Sequence, residues 1–295
     1  MIRRLAALLV ALAATVTATA AAAGPAGHSI LWSVRGEHNT VYLFGSIHVL
    51  RSGDVGLPPA AAKAYGDAER IVMEIDMDDP FVSDPAAITS MMQQSALLPP
   101  EKSLRTVLGS DYPAIAERSR AAGLDLEAMD RFAPWFVALL LLQIEITERG
   151  FDAQHGIEQQ VTELAVADRK PITGLETPAE QFAVLGGLSM ADQKRFLLMT
   201  LEESEQDDAQ LDLMLDAWRR GDTAALARTL SEEFEDFPQL YRPLTEDRNR
   251  AWVGDLEALF DQRDDYLVVV GALHLVGRNS VVELLRQRGH SVTQH

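Results

Sequence analysis

Short apolar runs that end at a glycine stand near both ends of the chain. Residues 41–44 (Val-Tyr-Leu-Phe) and 266–270 (Tyr-Leu-Val-Val-Val) are rich in β-branched and aromatic side chains. Runs of this length and composition are typical of interior strands in a sheet that is covered on both faces. The pattern Gly-x-x-His follows each run, in residues 45–48 and 271–274. The chain is therefore predicted to contain two buried strands, each with a histidine just beyond its end.

The rest of the pattern predicts a sheet drawn from both chain ends and a helical middle. Further strands are predicted at 31–34, 71–76, 171–176 and 291–293, and short helices at 58–67 and 280–288. Helical periodicity dominates the central section, at about 80–165 and 189–262, where Thr245 is expected to cap a long helix. We expect an α/β (or α+β) fold, in which this helical section is a lid or subdomain over a mixed sheet.

Three side chains at the predicted strand ends have the chemistry of a metal site. In open α/β sheets, ligands bind just beyond the carboxyl ends of the strands, where His48 and His274 are expected. Glu74 lies inside the strand at 71–76, where a carboxylate is costly unless it is paired or bound to metal. Two imidazoles and one carboxylate leave positions for water on a metal, as metal-assisted hydrolysis requires. A salt bridge from Glu74 to an arginine or lysine is the structural alternative.

Arg248 and Glu176 are further candidate residues of the same site. Arg248 precedes Trp252 by four residues, so it continues the apolar stripe of its helix and needs an anionic partner. It is expected either to pin Glu74 or Glu176, or to stabilise a developing oxyanion. Glu176 stands at the end of a short apolar strand. Three roles are compatible with this position: a site residue, a helix cap and a partner in a salt bridge. Glu158 stands in the first turn of a helix, where it is expected to complement the helix dipole.

The N-terminal segment has the features of a secretory signal peptide. Residues 1–23 combine a basic start, an apolar stretch and alanine-rich sequence with small residues suited to cleavage. We expect removal of this segment, with 24–295 as the mature domain and a periplasmic or secreted location. A membrane anchor is the alternative, but the strongly apolar part is too short for a span, so we expect no stable membrane span.

Composition narrows the possible functions. The formal net charge of −18 argues against nucleic acid and anionic lipid as partners. The expected partner is a peptide or small-molecule substrate. The sequence has no cysteine, which excludes disulfides and thiolate metal ligands. It also lacks a Gly-x-Ser-x-Gly elbow, a phosphate-binding glycine-rich loop with lysine and a His-Glu-x-x-His helix. Serine esterase, nucleotide-dependent and zincin functions are accordingly disfavoured.

Several motifs in the same order resemble the TraB/GumN (PrgY, Tiki-like) family. They are the two Gly-x-x-His motifs, the strand around Glu74, the Gly-Ile-Glu helix start at 156–158, Gly-Leu-Glu-Thr at 174–177 and Asp-Arg-Asn at 247–249. One Gly-x-x-His motif is common by chance, whereas the whole ordered set is specific. Glu158 departs from the family pattern, which has aspartate at this position.

The resemblance implies a metal-dependent hydrolase of the metalloprotease type. Its implied metal ligands are His48, His274 and Glu74, with Mn²⁺ or Co²⁺ as the metal and Zn²⁺ or Fe²⁺ as further possibilities. Catalytic roles fall by position to the same three residues, with Arg248 as an orienting group and Glu176 as a further ligand or base. Two other hypotheses stay open. One is a metal-free, His-based hydrolase like the erythromycin esterases, and the other is a non-catalytic protein that binds a peptide or a haem-like ligand.

Overall fold

A mixed six-stranded sheet forms the centre of the molecule. The computed structural model describes residues 29–203, 209–234 and 237–295, so the expected signal peptide (1–23) lies outside the described residues. The strands are β1 (Leu31–Arg35), β2 (Thr40–Ser46), β3 (Leu50–Arg51), β4 (Arg70–Ile75), β5 (Phe151–Asp152), β6 (Ile172–Glu176), β7 (Tyr266–Gly271) and β8 (Val292–Gln294). The sheet order is β6-β4-β7-β2-β1-β8, while β3 and β5 form a separate pair.

The four strands from β6 to β2 are parallel, whereas β1 and β8 continue the sheet in antiparallel fashion. Strand β7 lies between β2 and β4, and all of its residues are buried, as its continuous apolar sequence predicts. In the register of β2 against β7, Ser46 is opposite Gly271. The two Gly-x-x-His motifs therefore leave the sheet side by side. The expected mixed sheet from both chain ends is confirmed.

Helices occupy most of the chain between the strands. They are α1 (Pro59–Asp67), α2 (Pro85–Ala96), α3 (Leu104–Leu108), α4 (Tyr112–Ala121), α5 (Pro134–Glu148), α6 (Ile157–Asp168), α7 (Pro178–Gly186), α8 (Met190–Glu203), α9 (Ala209–Arg219), α10 (Thr223–Phe234), α11 (Pro238–Tyr241), α12 (Asp247–Leu259) and α13 (Val281–Gln287). Five of them begin with proline, whose fixed φ and missing N–H suit the first helical turn.

Helix α5 is the most apolar element, and it lies in the core. Trp135, Val137 and Ala138 are almost completely buried. It spans 15 residues. Among the residues that the structure describes, no helix combines the length and apolar character that a membrane crossing needs.

The helix that carries Arg248 begins earlier than the sequence predicts. Helices α11 and α12 are joined by a wide π-helical turn, Arg242–Glu246, so the backbone is helical from 238 to 259. Thr245 is inside this turn, where its hydroxyl donates to the carbonyl of Tyr241. The expectation that Thr245 caps the helix is therefore wrong, because its hydroxyl bonds back to the preceding turn. Such π turns are frequent at functional sites.

Candidate functional site at the carboxyl edge of the sheet

Both motif histidines line one pocket at the carboxyl edge of the parallel strands. His48 lies in the loop between β2 and β3, and His274 ends a short 3-10 turn that follows β7. Glu74, near the end of β4, and Arg248, from α12, line the same pocket. Of the five site residues predicted from the sequence, four are thus brought together here. Glu176 is outside this lining set.

Gly271 is the backbone position around which the cluster closes. A Cβ atom at this residue would lie 2.9 Å from His48 Nε2 and 3.2 Å from Glu74 Oε1. The Gly271 N–H also donates to Glu74 Oε1 at 2.7 Å. Its φ of −49° is one that any residue adopts, so the glycine serves close approach and not a left-handed backbone.

His274 is held with its Nε2 atom toward the carboxylate. Asn249 donates through Nδ2 to the carbonyl of Asn279, so its Oδ1 atom accepts from His274 Nδ1 at 2.6 Å. Nε2 then keeps its lone pair and lies 3.7 Å from Glu74 Oε1. Burial lowers the pKa of His274 to about 3 and outweighs the opposing effect of Glu74. The ring is therefore neutral, which is the form that accepts a hydrogen bond or binds a metal.

His48 is held by a residue to which the sequence assigns only a dipole role. Its Nδ1 atom is 2.8 Å from Glu158 Oε1, and the same oxygen accepts from the Ser46 hydroxyl. Burial disfavours the charged ring, but the Glu158 carboxylate outweighs it and raises the pKa of His48 to about 9. Glu158 thus belongs to the site. Its placement at a helix start gave no sequence signal of this contact, which joins residues 110 positions apart.

Glu74 is the central carboxylate of the cluster. Oε2 accepts from Arg248 Nη2 at 2.7 Å and from Gln181 Nε2 at 3.2 Å, while Oε1 accepts from the Gly271 N–H and lies 3.7 Å from His274 Nε2. Burial raises the pKa of Glu74, but the neighbouring Arg248 charge and the donated hydrogen bonds outweigh this effect and hold it well below its usual range. Glu74 is therefore ionised. The salt bridge expected as the structural alternative is present through Oε2, and it leaves Oε1 on the side of His274.

Arg248 connects the carboxylates behind the histidines. Its Nε contacts both oxygens of Glu176, at 3.0 and 2.9 Å, and its Nη1 donates to the carbonyl of Leu244 at 3.1 Å and contacts His274 Nε2 at 3.2 Å. Glu176 also accepts from Trp252 Nε1 at 2.8 Å. The structure thus gives Arg248 the first of its two expected roles, that of pinning Glu74 and Glu176. Glu176 lies behind the guanidinium and supports it.

The remaining walls of the pocket are apolar and come from the helical section. They are formed by Phe151 and by residues of α7, α9 and α10 and of the π turn: Phe182, Leu185, Leu211, Met214, Leu215, Leu226 and Leu244. Helix α9 is tied to the sheet, because Trp218 Nε1 donates to the carbonyl of Gly45 at 2.7 Å. The charged cluster thus lies at one end of an apolar chamber, where low polarity strengthens electrostatic interactions.

The donor atoms of the cluster fit a divalent metal in their chemistry. Each histidine has its Nδ1 held by an oxygen acceptor, Asn249 or Glu158, which is the usual arrangement around a metal-binding imidazole. Glu74 Oε1 supplies a carboxylate oxygen on the same side. In the described parts of the chain, however, no three His, Asp or Glu side chains are already close enough together to hold an ion. Arg248 Nη1 contacts the Nε2 atom of His274 that a metal would use.

The fold and the two paired motifs define a class of protein. An α/β sheet places two Gly-x-x-His ends and a buried strand glutamate at one edge, in an order shared with a known family. Residues 30–294 match the TraB/PrgY/gumN family, and the chain belongs to this family. The resemblance inferred from the sequence motifs is confirmed.

Individual relatives include proteins with and without a named activity. The chain is 28% identical to the uncharacterized protein YbaP of Escherichia coli (strain K12), over 87% of this chain and 97% of YbaP. It is 23% identical to an uncharacterized protein of Treponema pallidum (strain Nichols), over 88% of this chain and 80% of that protein. It is 24% identical to metalloprotease TIKI2 of Xenopus tropicalis, over 90% of this chain and 59% of TIKI2. No solved structure matches the chain significantly.

Proposed function

We propose that the protein is a metal-dependent hydrolase that cleaves peptide bonds. His48, His274 and Glu74 would hold the metal, with Mn²⁺ or Co²⁺ as the favoured ion and Zn²⁺ or Fe²⁺ as alternatives. The observation that carries the proposal is the convergence at Gly271, where His48 Nε2 and Glu74 Oε1 approach the same backbone position and His274 Nε2 is 3.7 Å from that oxygen. The distant similarity to a metalloprotease supports the reaction class.

The protein groups have distinct roles in this proposal. A bound metal would polarise the substrate carbonyl and make its own water more acidic. Glu74, which is ionised and has Oε1 3.7 Å from His274 Nε2, would either bind the metal or serve as a general base beside it. Arg248 fixes the Glu74 carboxylate through its 2.7 Å contact. Glu176 supports this arrangement through its two contacts with Arg248 Nε.

The apolar chamber favours a peptide with an apolar side chain next to the bond that is cleaved. Phe182, Leu211 and Met214 line the pocket that also contains the charged cluster, so an apolar group of the substrate would pack there while its carbonyl faces the histidines. Burial of one such side chain contributes about 2 kcal/mol to binding.

We also propose that the protein acts outside the cytoplasm, because residues 1–23 have the composition of a signal peptide.

Metal analysis and peptide cleavage together test the proposed function. The purified protein is stripped with a chelator and reloaded separately with Mn²⁺, Co²⁺, Zn²⁺ and Fe²⁺. Bound metal and cleavage of a fluorogenic peptide library are then measured. We expect about one metal per chain, and a loss of metal or activity of at least about 100-fold in His48→Ala, His274→Ala and Glu74→Gln. His38→Ala is the matched control, because His38 lies in the exposed turn between β1 and β2, at the opposite end of β2 from His48.

The other outcomes decide between the remaining hypotheses. Cleavage that survives complete chelation would identify a metal-free hydrolase in which His48 acts as the base. Retention of a peptide without turnover of any peptide or ester would identify a binding protein. Failure of the wild-type protein to bind any of the four metals after reloading would overturn the proposal itself.

A further inference from the structure

The contact between His48 and Glu158 is built by two segments that are far apart in the sequence. Glu158 has one oxygen, Oε1, that accepts from both His48 Nδ1 and the Ser46 hydroxyl. Ser46 is the last residue of β2 and precedes His48 by two positions. We propose that Glu158, assisted by Ser46, is a positioning residue that keeps His48 Nδ1 protonated and directs His48 Nε2 at Glu74 and Gly271.

The hydrogen-bond chemistry leaves one arrangement of the ring. Glu158 Oε1 already accepts from the Ser46 hydroxyl and lies 2.8 Å from His48 Nδ1, so it is the acceptor of this contact and the hydrogen is on Nδ1 of the imidazole. The opposite ring atom, Nε2, then faces the cluster, where it approaches the Gly271 backbone closely enough to exclude a Cβ atom. Glu158 thus decides which ring nitrogen of His48 is presented to the pocket.

The start of helix α6 is packed against the His48 backbone in a way that fixes this contact. A Cβ atom on Gly156 would lie 2.1 Å from the carbonyl oxygen of His48, so a glycine is required for this close approach. The next residue, Ile157, donates its N–H to the carbonyl of Ile47 at 3.1 Å. Glu158 is the next residue, and its Oε1 atom lies 2.8 Å from His48 Nδ1. Two backbone contacts therefore set the distance that the Glu158 side chain spans.

The burial of Glu158 favours a role in the site over a role in stability alone. Its side chain is only 11% exposed, and its Oε2 atom is buried without a hydrogen-bond partner among the described residues. A buried carboxylate with an unpaired oxygen costs free energy, and such residues are concentrated at functional sites. Only the other oxygen, Oε1, gains hydrogen bonds that offset part of this cost, and both come from the segment that carries His48. In metal sites, partners of this kind typically change metal affinity by about 10- to 100-fold.

Ring spectroscopy and metal binding on matched variants test the assignment. The variants are Glu158→Gln, which keeps the shape and removes the charge, Glu158→Asp, which restores the charge, and Glu163→Gln as control. Glu163 lies on the same helix, and it is exposed and paired with Gln159. The His48 ring N–H signal is followed by ¹H–¹⁵N NMR in the metal-free protein. Mn²⁺ affinity is measured by calorimetry in each variant and in the His48→Ala background.

We expect Glu158→Gln to move the His48 ring signal upfield and to weaken Mn²⁺ binding by about 10- to 100-fold. Glu158→Asp is expected to lie closer to the wild type, and Glu163→Gln to match it. Because Glu158 acts through His48, Glu158→Gln should weaken binding no more than about twofold when His48 is already alanine. An equal loss in both backgrounds, or an unchanged ring signal in Glu158→Gln, overturns the assignment.

The Mn²⁺ affinity measurement rests on the proposed function, whereas the NMR measurement of the His48 ring does not. If the wild-type protein binds no Mn²⁺, the proposed function fails on that observation. The NMR comparison of Glu158→Gln with Glu163→Gln still decides whether Glu158 holds His48, since it is made on metal-free protein.

Discussion

Arg248 is the residue on which most of the charged cluster depends. Its guanidinium contacts Glu74, Glu176 and His274 from a single planar group, which only arginine can do. Burial disfavours the charge of Arg248, but the two carboxylates outweigh burial and raise its pKa. The pKa of Glu74 is lowered and that of Arg248 is raised, so this pair is charged, and each charge is stable in its buried position only while its partner remains.

Arg248→Lys is expected to destabilise the protein by about 2–3 kcal/mol. A lysine keeps one charge but reaches only one of the carboxylates, and the other carboxylate is left buried without its partner. The free energy of unfolding is measured by urea denaturation. Arg250→Lys is the control, because Arg250 lies two residues later on the same helix and is 45% exposed. It should change stability by less than about 0.5 kcal/mol. Equal effects of both substitutions would contradict this account of Arg248.

The stability of the metal-free protein is expected to depend on pH through His48. Its pKa rises to about 9 in the fold, because the Glu158 carboxylate outweighs burial, and it is near 6.5 when unfolded. A raised pKa contributes stability that is complete below the unfolded value and is lost as pH rises through the folded value. Glu158→Gln should therefore cost about 1–2 kcal/mol more at pH 6 than at pH 9.5.

The measurement is urea denaturation of both proteins at the two pH values in the presence of a chelator. Lost hydrogen bonds contribute equally at both pH values, so the difference isolates the charge. Glu163→Gln, on the exposed side of the same helix, should show no such change with pH. A Glu158→Gln cost that is the same at pH 6 and pH 9.5 is incompatible with the charge pair.

At the scale of elements, the site depends on where strands end. Strands β2 and β7 are parallel neighbours in register, so two segments more than 200 residues apart leave the sheet at the same level. Helix α6 docks on the first of these segments, and α12 brings Arg248 to the second. These elements place their side chains in one cluster, in which His48 Nε2 and Glu74 Oε1 lie close to the backbone of Gly271.

Gly271→Ala is expected to leave the fold intact and to weaken metal binding by about tenfold or more. The backbone at Gly271 accommodates alanine, but the new Cβ would press on His48 Nε2 and Glu74 Oε1. Both are ends of side chains that shift, which spares the fold and disturbs the cluster. The measurement combines the melting temperature with Mn²⁺ titration.

Gly254→Ala is the matched control for this substitution. Gly254 lies within α12, and a Cβ there meets nothing within 4 Å. Alanine at this helical position should stabilise the protein by about 0.5–1 kcal/mol without changing metal affinity. Unchanged Mn²⁺ affinity in Gly271→Ala would show that the metal does not bind at this strand end.

On the scale of the whole molecule, a charged cluster is enclosed between a sheet and a helical section. The helices α7, α9 and α10 supply apolar walls, while the sheet supplies the charged floor. This division explains how a chain with a formal charge of −18 still contains an apolar pocket beside its charged cluster. Enclosure also couples the site to global stability, because a ligand that binds only the folded chain stabilises it.

Metal binding is expected to raise the free energy of unfolding of the whole protein. At a free Mn²⁺ concentration 100-fold above its dissociation constant, the gain is about 2.7 kcal/mol. The measurement is a thermal melt with and without metal. His274→Ala should lose the gain, whereas His38→Ala, in an exposed turn, should keep it. Equal stabilisation of the two variants by Mn²⁺ would place the metal elsewhere on the chain.

Local patterns in the sequence were sufficient for the six strands of the main sheet, most helices, the paired histidine motifs and the buried position of Glu74, but not for the short pair β3 and β5. Hydrophobic periodicity records which faces are buried, and that depends on near neighbours along the chain. The pairing of Glu158 with His48, the three-way contacts of Arg248 and the π turn around Thr245 emerged only in the folded molecule. These contacts join segments far apart in the chain or replace a local cap, and their side chains meet only after strand order and helix docking have brought them together.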